Sequence, residues 1–207
     1  MAPFEYRCLR EEEFAEAVRL DVIAFAEQHS AADIPFLQKA FDFERSLCAF
    51  DDGRLVGVSS SLPLRLTLPG GRSLPTAGIT WIAVLPTHRR QGILTQLMRG
   101  QLQQAVARGE AAAALIAAEG GIYGRFDMGP AVSVNSIHVS RDRAAFLRPV
   151  EADGRLVLLT DEEAAAKLPP LYERLRSRRP GEVSRSATWW DEYLRDPTGG
   201  RRFWPVC

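Results

Sequence analysis

Lysine is almost missing. Of 26 lysine and arginine residues only Lys39 and Lys167 are lysine. A GC-rich genome produces that bias as readily as phosphate binding does, so alone it decides nothing. Net charge is missing too: 26 acidic residues balance 26 basic ones. A general nucleic-acid or membrane-surface binder needs a basic excess, so neither class is expected. Cysteine is sparse. Cys8, Cys48 and Cys207 make no C-x-x-C or other metal-ligand spacing, so no metal is expected. Isolated thiols fit a reducing compartment, and a cytoplasmic location is expected. The longest apolar run, around residues 111–118, is too short to span a bilayer. The opening MAPFEYRCLREEEF is charged and lacks the apolar stretch of a signal peptide.

What is present is enough for a sizeable core: 46% hydrophobic residues in a chain of 207, one large domain or one domain and a remainder. Residues 4–9 alternate as a short strand. Residues 11–28 read as a helix with Phe14, Ala17, Val18, Val22 and Phe25 at helical spacing. A second helix is expected over 33–45. Asp51-Asp52-Gly53 and Pro69-Gly70-Gly71 punctuate apolar runs at 46–51, 54–68 and 72–85, the pattern of an antiparallel meander. The period then turns helical, with Ile93, Leu94, Leu97, Met98, Leu102 and Val106 on one face and Gly109 as a stop. The apolar run 112–118 predicts a strand buried on both faces and parallel to its neighbour. A short helix or turn over 120–128 and a strand over 131–140 follow. Composition shifts near Arg148-Pro149. Beyond it a strand (155–159), helices over 161–177 and 186–195, and the opening of a strand at 202–206 are expected. Trp189, Trp190 and Tyr193 form a helical aromatic cluster suited to a core or an interface.

The stretch "PTHRRQGIL", residues 86–94, places three cationic-capable side chains before a glycine and a helix start. Arginine there opposes the helix dipole unless an anion lies between, and phosphate is the usual one. No Gly-Lys-Ser/Thr ending and no G-x-G-x-x-G fingerprint is present, which argues against a hydrolytic P-loop and a dinucleotide fold.

Arg89-x-x-Gly92 at a strand-to-helix turn resembles the signature of the GCN5-related N-acetyltransferases, with Leu94 where a small residue is usual. Together with "AEGGIYGRFDMGPA" at 118–131, it resembles the Eis group within them. The resemblance implies an α/β (α+β) fold with a central mixed, mostly antiparallel sheet flanked by helices. It implies an acetyltransferase domain over 1–149 and the start of a second such domain over 150–207. It implies acetyl-CoA as cosubstrate, held by the backbone of Ile82, Ala83 and Val84 and by Arg90, Gln91, Gly92, Ile93, Leu94 and Thr95, with Ala118 and Glu119 at the acyl end. Tyr123 matches the general acid that protonates the departing thiolate. A phenol with a reference pKa near ~10 is protonated at neutrality and suits a thiolate near ~8.5. The acceptor would be an amine of a small molecule, an aminoglycoside for instance, or a lysine side chain. Members of the group are about twice this length, use their C-terminal carboxylate as base and form hexamers. Here the chain is expected to end inside the second domain, and Ile116 stands where some relatives carry histidine. A homo-oligomer is expected of a full-length form.

Each residue also has a plainer reading. Arg89 and Arg90 alone fit a solvated helix start, and Tyr123 alone fits a packing residue. Glu119 fits the start of a turn as well as it fits a cationic substrate. His88 reads as a loop-surface residue. Two rival functions stay open: an acyl-CoA-binding module without turnover, and a subunit of a larger assembly.

Overall fold

The Asp51-Asp52-Gly53 turn, with Asp52 at φ 46° and Gly53 at φ 78°, closes a hairpin that forms the middle of the sheet. In a computed structural model, which describes residues 4–26, 33–132, 137–145, 147–148, 157–195 and 204–206, this hairpin joins β2 (Leu47–Asp51) to β3 (Arg54–Thr67). With β1 (Glu5–Arg7), β4 (Ser73–Val84) and β5 (Ala112–Ala114) it forms a five-stranded sheet in the order β1-β2-β3-β4-β5. The first four strands are antiparallel, and β5 is parallel to β4. The sheet is therefore mixed and mostly antiparallel, as expected.

Helix α1 (Phe14–Phe25) buries Phe14, Ala17, Val18 and Leu20, while Phe25 at its last turn is exposed. Helix α2 (Ile34–Ala40) is shorter than the expected 33–45. The chain becomes extended at Phe41 because Phe41 and Phe43 turn inward, edge to face with Phe14 at 5.2 and 5.8 Å. Helix α3 (Ile93–Ala107) presents Ile93, Leu97, Met98, Gln101 and Ala105 to the sheet. Val106, expected on that face, is 77% exposed, and Gln101 takes an inward position at 1% exposure.

Gln101 belongs to a buried polar seam. Its Nε2 donates to the Arg45 carbonyl at 3.0 Å and to Ser59 Oγ at 3.2 Å. Arg45 Nε donates to the Ser61 carbonyl, and its Nη2 meets both Glu110 carboxylate oxygens at 2.6 and 2.7 Å. Both side chains of that ion pair are less than a tenth exposed. Removing one partner strands the other charge away from water, so Glu110→Ala is expected to cost about 3–5 kcal/mol. Denaturant unfolding measures it, and a loss below ~1 kcal/mol would show that the pair is not effectively buried.

An extra residue in β4 sets the side-chain phase of the strand that matters most. Val58 pairs with Ala83, but Ser60 pairs with Thr80, so two steps on β3 match three on β4. Trp81 carries the bulge at φ 55°. Before it, Ala77 and Ile79 pack with Met98 of α3. After it, Ile82 packs in that same cluster, and Trp81 turns to Phe14 of α1 at 5.6 Å. Strict alternation would have placed Trp81 with Ala77 and Ile79.

Two expected strands differ. The run 112–118 is a strand only over Ala112–Ala114, half-buried, and Ile116 is 96% exposed. In 131–140, no described residue is in a strand, and 133–136 lie outside the described residues. Farther on, β6 (Val157–Leu159) pairs antiparallel with β7 (Trp204–Val206). Helices α4 (Asp161–Arg176) and α5 (Ala187–Leu194) lie between them in sequence. Residues 155–156 and the expected boundary at 149–150 lie outside the described residues. Trp190 is buried between Tyr172 and Tyr193, each ring at 5.7 Å, so it is a core residue of this segment. Residues 181–184 run along the part of β3 that β2 does not reach: Thr67 N–H donates to Glu182 O and Ser184 N–H to Arg65 O, both at 2.9 Å. Arg195 and Asp33, 2.6 Å apart, tie α5 to α2.

Candidate active site

Strand β4 outruns its neighbour. The ladder with β5 runs from Thr76–Ala112 to Gly78–Ala114 and stops, while β4 continues to Val84. The β5-side edge of residues 79–84 therefore has no strand partner among the described residues, and it presents free backbone donors and acceptors. Within this stretch Ile82 faces the cluster under α3, and Ala83, 4% exposed, faces the opposite core. Ala83 and Val84 can serve a ligand only through their backbone.

The turn after β4 leaves backbone donors unpaired at a helix start. One 3-10 turn, Pro86–His88, leads to Arg90 at φ 61° and Gly92 at φ 85°. Gly92 is the N-cap of α3, and no side chain caps that end. The amides of Ile93, Leu94 and Thr95 have no acceptor within the helix and sit at its positive pole. A Cβ placed on Gly92 would meet nothing within 4 Å. The glycine is there for its left-handed backbone, and the space above it is open.

The three cationic-capable side chains before Gly92 separate. His88 turns to Asp51, with Nε2 3.2 Å from Oδ2. Arg89 Nη2 donates to the Ala24 carbonyl at 3.3 Å. Among the described residues Arg90 makes no hydrogen bond or ion pair and is exposed. Gln91 is exposed and donates to the Thr87 carbonyl at 3.4 Å. Ile93 is 1% exposed and packs where Gly57 leaves room for it, so only its amide is available. Leu94 and Thr95 are half-buried.

The second motif folds as a 3-10 helix, Gly120–Phe126, with Glu119 at its N-cap. Tyr123 is half-buried, and its ring joins the cluster that also takes Ile82 and Leu94. Three sequence-predicted positions, from β4, α3 and the 3-10 helix, thus pack against one buried cluster, Ala77, Ile79, Met98 and Ala105. Burial pushes the Tyr123 phenol above its ordinary value, and the Glu119 carboxylate pushes it the same way. The phenol makes no hydrogen bond to a described residue. Ala118 and Glu119 are exposed at the rim. The arrangement offers backbone donors, an anion cradle and a protonated phenol against an apolar wall, a set suited to acyl transfer from a phosphorylated carrier.

Sequence reasoning missed the bulge at Trp81, the left-handed Arg90 and the inward turn of His88. Only the last left a sequence signal, an acidic hairpin turn at Asp51-Asp52 to which a histidine could reach. A separate cavity of about 470 Å³ lies between α4 and α5, lined by Tyr172, Arg185 and Trp190, and contains none of the predicted residues. Among the described residues no group of three or more His, Cys, Asp or Glu is placed to hold a metal. No helix among them is long and apolar enough to cross a membrane.

Known proteins share this fold. The model of the acetyltransferase (GNAT) domain matches residues 5–131. The chain is 43% identical over 149 residues to an uncharacterized N-acetyltransferase of Streptomyces avermitilis, covering 70% of this chain and 36% of that protein. It is 40% identical over 147 residues to the N-acetyltransferase Eis of Mycobacterium tuberculosis, covering 69% and 36%. The chain therefore spans little more than a third of the curated relatives it matches. The crystal structure of Eis1 from Mycobacterium abscessus superposes with a TM-score of 0.76 at 36% identity, over 91% of this chain and 47% of that one. A GCN5-related N-acetyltransferase from Anabaena variabilis shares the fold with a TM-score of 0.72 at 18% identity, over 95% of this chain and 49% of that one. With the matched segment running from β1 through the Tyr123 motif, the chain belongs to the acetyltransferase (GNAT) domain family and is Eis-like within it.

Proposed function

We propose that the chain is an acetyl-CoA-dependent N-acetyltransferase acting on an amine, with Tyr123 as general acid. The observation that carries this reading is the convergence of Ile82, Leu94 and Tyr123 on one buried cluster beside the uncapped start of α3. The cradle fits the cosubstrate: Gly92 leaves open space, and Arg90 and the first α3 amides face no protein partner that would compete for a pyrophosphate. An acetyltransferase of Clostridium acetobutylicum with this fold, TM-score 0.54 and 15% identity, was solved with acetyl-CoA.

Acetyl-CoA supplies the acyl carbon as a thioester. The free edge of residues 79–84 lies along the β4 side of the site and offers amides to a carbonyl oxygen as it gains charge. Arg90, Gln91 and the amides of Gly92 to Thr95 hold the phosphates. When the C–N bond forms and the C–S bond breaks, Tyr123 gives its proton to the leaving sulfur, and the second proton of the acylated nitrogen returns through water to the phenolate. Its phenol is protonated throughout the neutral range, because burial and Glu119 both raise its pKa. The acceptor's ammonium must lose a proton first, and exposed Glu119 takes it through water. Residues 1–149 form the acetyltransferase unit and 150–207 belong to a second unit, of which residues 181–184 pair with β3.

Calorimetry with acetyl-CoA, followed by mass spectrometry of an aminoglycoside and a lysine peptide incubated with both, tests the reading. Binding with an added acetyl group on either acceptor is expected. Binding with no transfer to any amine would reduce the chain to an acyl-CoA-binding module, and no binding would remove the assignment.

A further inference from the structure

The loop that carries the anion cradle is held from one side by a single imidazole. We infer that His88 is a positioning residue: it struts the loop 86–92 against the β2–β3 hairpin so that the cradle is preformed. The inference rests on the proposed acetyl-CoA site.

Both ring nitrogens of His88 are engaged. Nδ1 lies 2.8 Å from Thr87 Oγ1 and Nε2 lies 3.2 Å from Asp51 Oδ2. A carboxylate only accepts, so Nε2 carries the hydrogen, and the Thr87 hydroxyl can donate to Nδ1 or accept from it. The ring stands edge-on to Phe4 at 6.3 Å, and its side chain is only 17% exposed. The His88 amide donates to the Leu85 carbonyl at 2.8 Å, and Leu85 N–H donates to Val56 O at 2.9 Å. The imidazole therefore connects a rigid strand pair to a loop with little else to hold it. Among the described residues, Arg89 Nη2 on the Ala24 carbonyl, at 3.3 Å, is the other side-chain hydrogen bond from this loop to another element.

The residues that follow need such a tether. Arg90 and Gly92 both adopt left-handed backbone, which for arginine is a strained state that neighbours must impose. With the strut gone, 89–92 samples other states, and part of the binding energy of the phosphates is spent on re-ordering it. The loss falls on cosubstrate affinity, because the partners of His88 are Thr87, Asp51 and Phe4, and Tyr123 is not among them.

Acetyl-CoA affinity is measured by calorimetry for the wild type, His88→Ala, His88→Gln, Asp51→Ala and the double alanine variant. Each single alanine is expected to weaken binding roughly five- to tenfold. The double variant is expected to be no weaker than either single, since both remove one interaction. His88→Gln, whose side-chain amide can donate to Asp51 from about the place of Nε2, is expected to recover most of the affinity. Unchanged affinity in His88→Ala, additive losses or no recovery with glutamine each overturn the strut. If His88→Ala does not fold, Asp51→Ala at the exposed hairpin carries the same comparison with His88→Gln. A wild-type chain that binds no acetyl-CoA would sink the site itself. Binding that is indifferent to His88 sinks only the strut.

Discussion

Gly92→Asp is expected to lose acetyl-CoA binding by a factor of a hundred or more while the fold persists. The glycine sits at φ 85° at the start of α3 with open space where a side chain would go. Aspartate tolerates left-handed backbone better than most residues, and a negative charge at the positive pole of a helix favours the helix. The melting temperature should therefore change little. The carboxylate would project into the region assigned to the pyrophosphate. Like charges about 4 Å apart repel by about 4 kcal/mol at an effective dielectric of 20, and solvent screening still leaves enough for a hundredfold loss. Gly92→Asn separates shape from charge, and it should cost about tenfold or less through backbone strain alone. Calorimetry on the three proteins, with circular dichroism as the fold control, decides it. Equal affinity for Gly and Asp would mean that the phosphates lie elsewhere.

The second large effect is on rate. Tyr123→Phe should lower kcat by about a hundredfold or more and leave acetyl-CoA affinity unchanged. The hydroxyl matters only as charge develops on the departing sulfur, whereas the ring supplies the apolar wall and phenylalanine keeps it. The phenol has no hydrogen-bond partner among the described residues, so its removal should cost no stability. The pH profile gives a further check. A phenol raised above 10.0 by burial and by Glu119 keeps its proton as a solvent-exposed tyrosine begins to lose it. The rate of the wild type should show no alkaline fall attributable to this group below about pH 10. Equal kcat in the two proteins would leave Tyr123 as packing.

Much of this site could be read from residue types because its devices are local. Basic residues before a glycine mark a helix start open to an anion, and the following apolar period marks the helix itself. Gly92 and α3 stand where that reading puts them. Tyr123 was legible only through the long motif around it, since half-buried tyrosines are common. The failures share a cause in tertiary contact. Helix α2 ends early because Phe41 and Phe43 are drawn to Phe14 and Trp81, rings distant in sequence. Gln101 takes an inward position because Arg45 and Ser59 offer partners that no helical periodicity announces. Val106, apolar and in phase, lies just past the edge of the sheet-facing stripe. His88 reads as surface until the hairpin that receives it is in place.

The inserted residue at Trp81 makes β4 a strand with two grammars. Up to Ile79 the odd positions answer to α3, and from Ile82 the even positions do. Deleting one residue there would not merely shorten the strand. It would exchange inside for outside over its last residues, carrying Ile82 away from the cluster under α3 and bringing Ala83 toward it. The upstream half would be untouched, because Thr67–Ser73 to Ser61–Ile79 would keep their partners. The bulge thus sets which face the end of a single strand presents, and it does so inside the main core, where Trp81 and Ala83 pack. The strand's first half is fixed by the β3 and β5 pairings, and the phase of its last three residues is set at the left-handed Trp81.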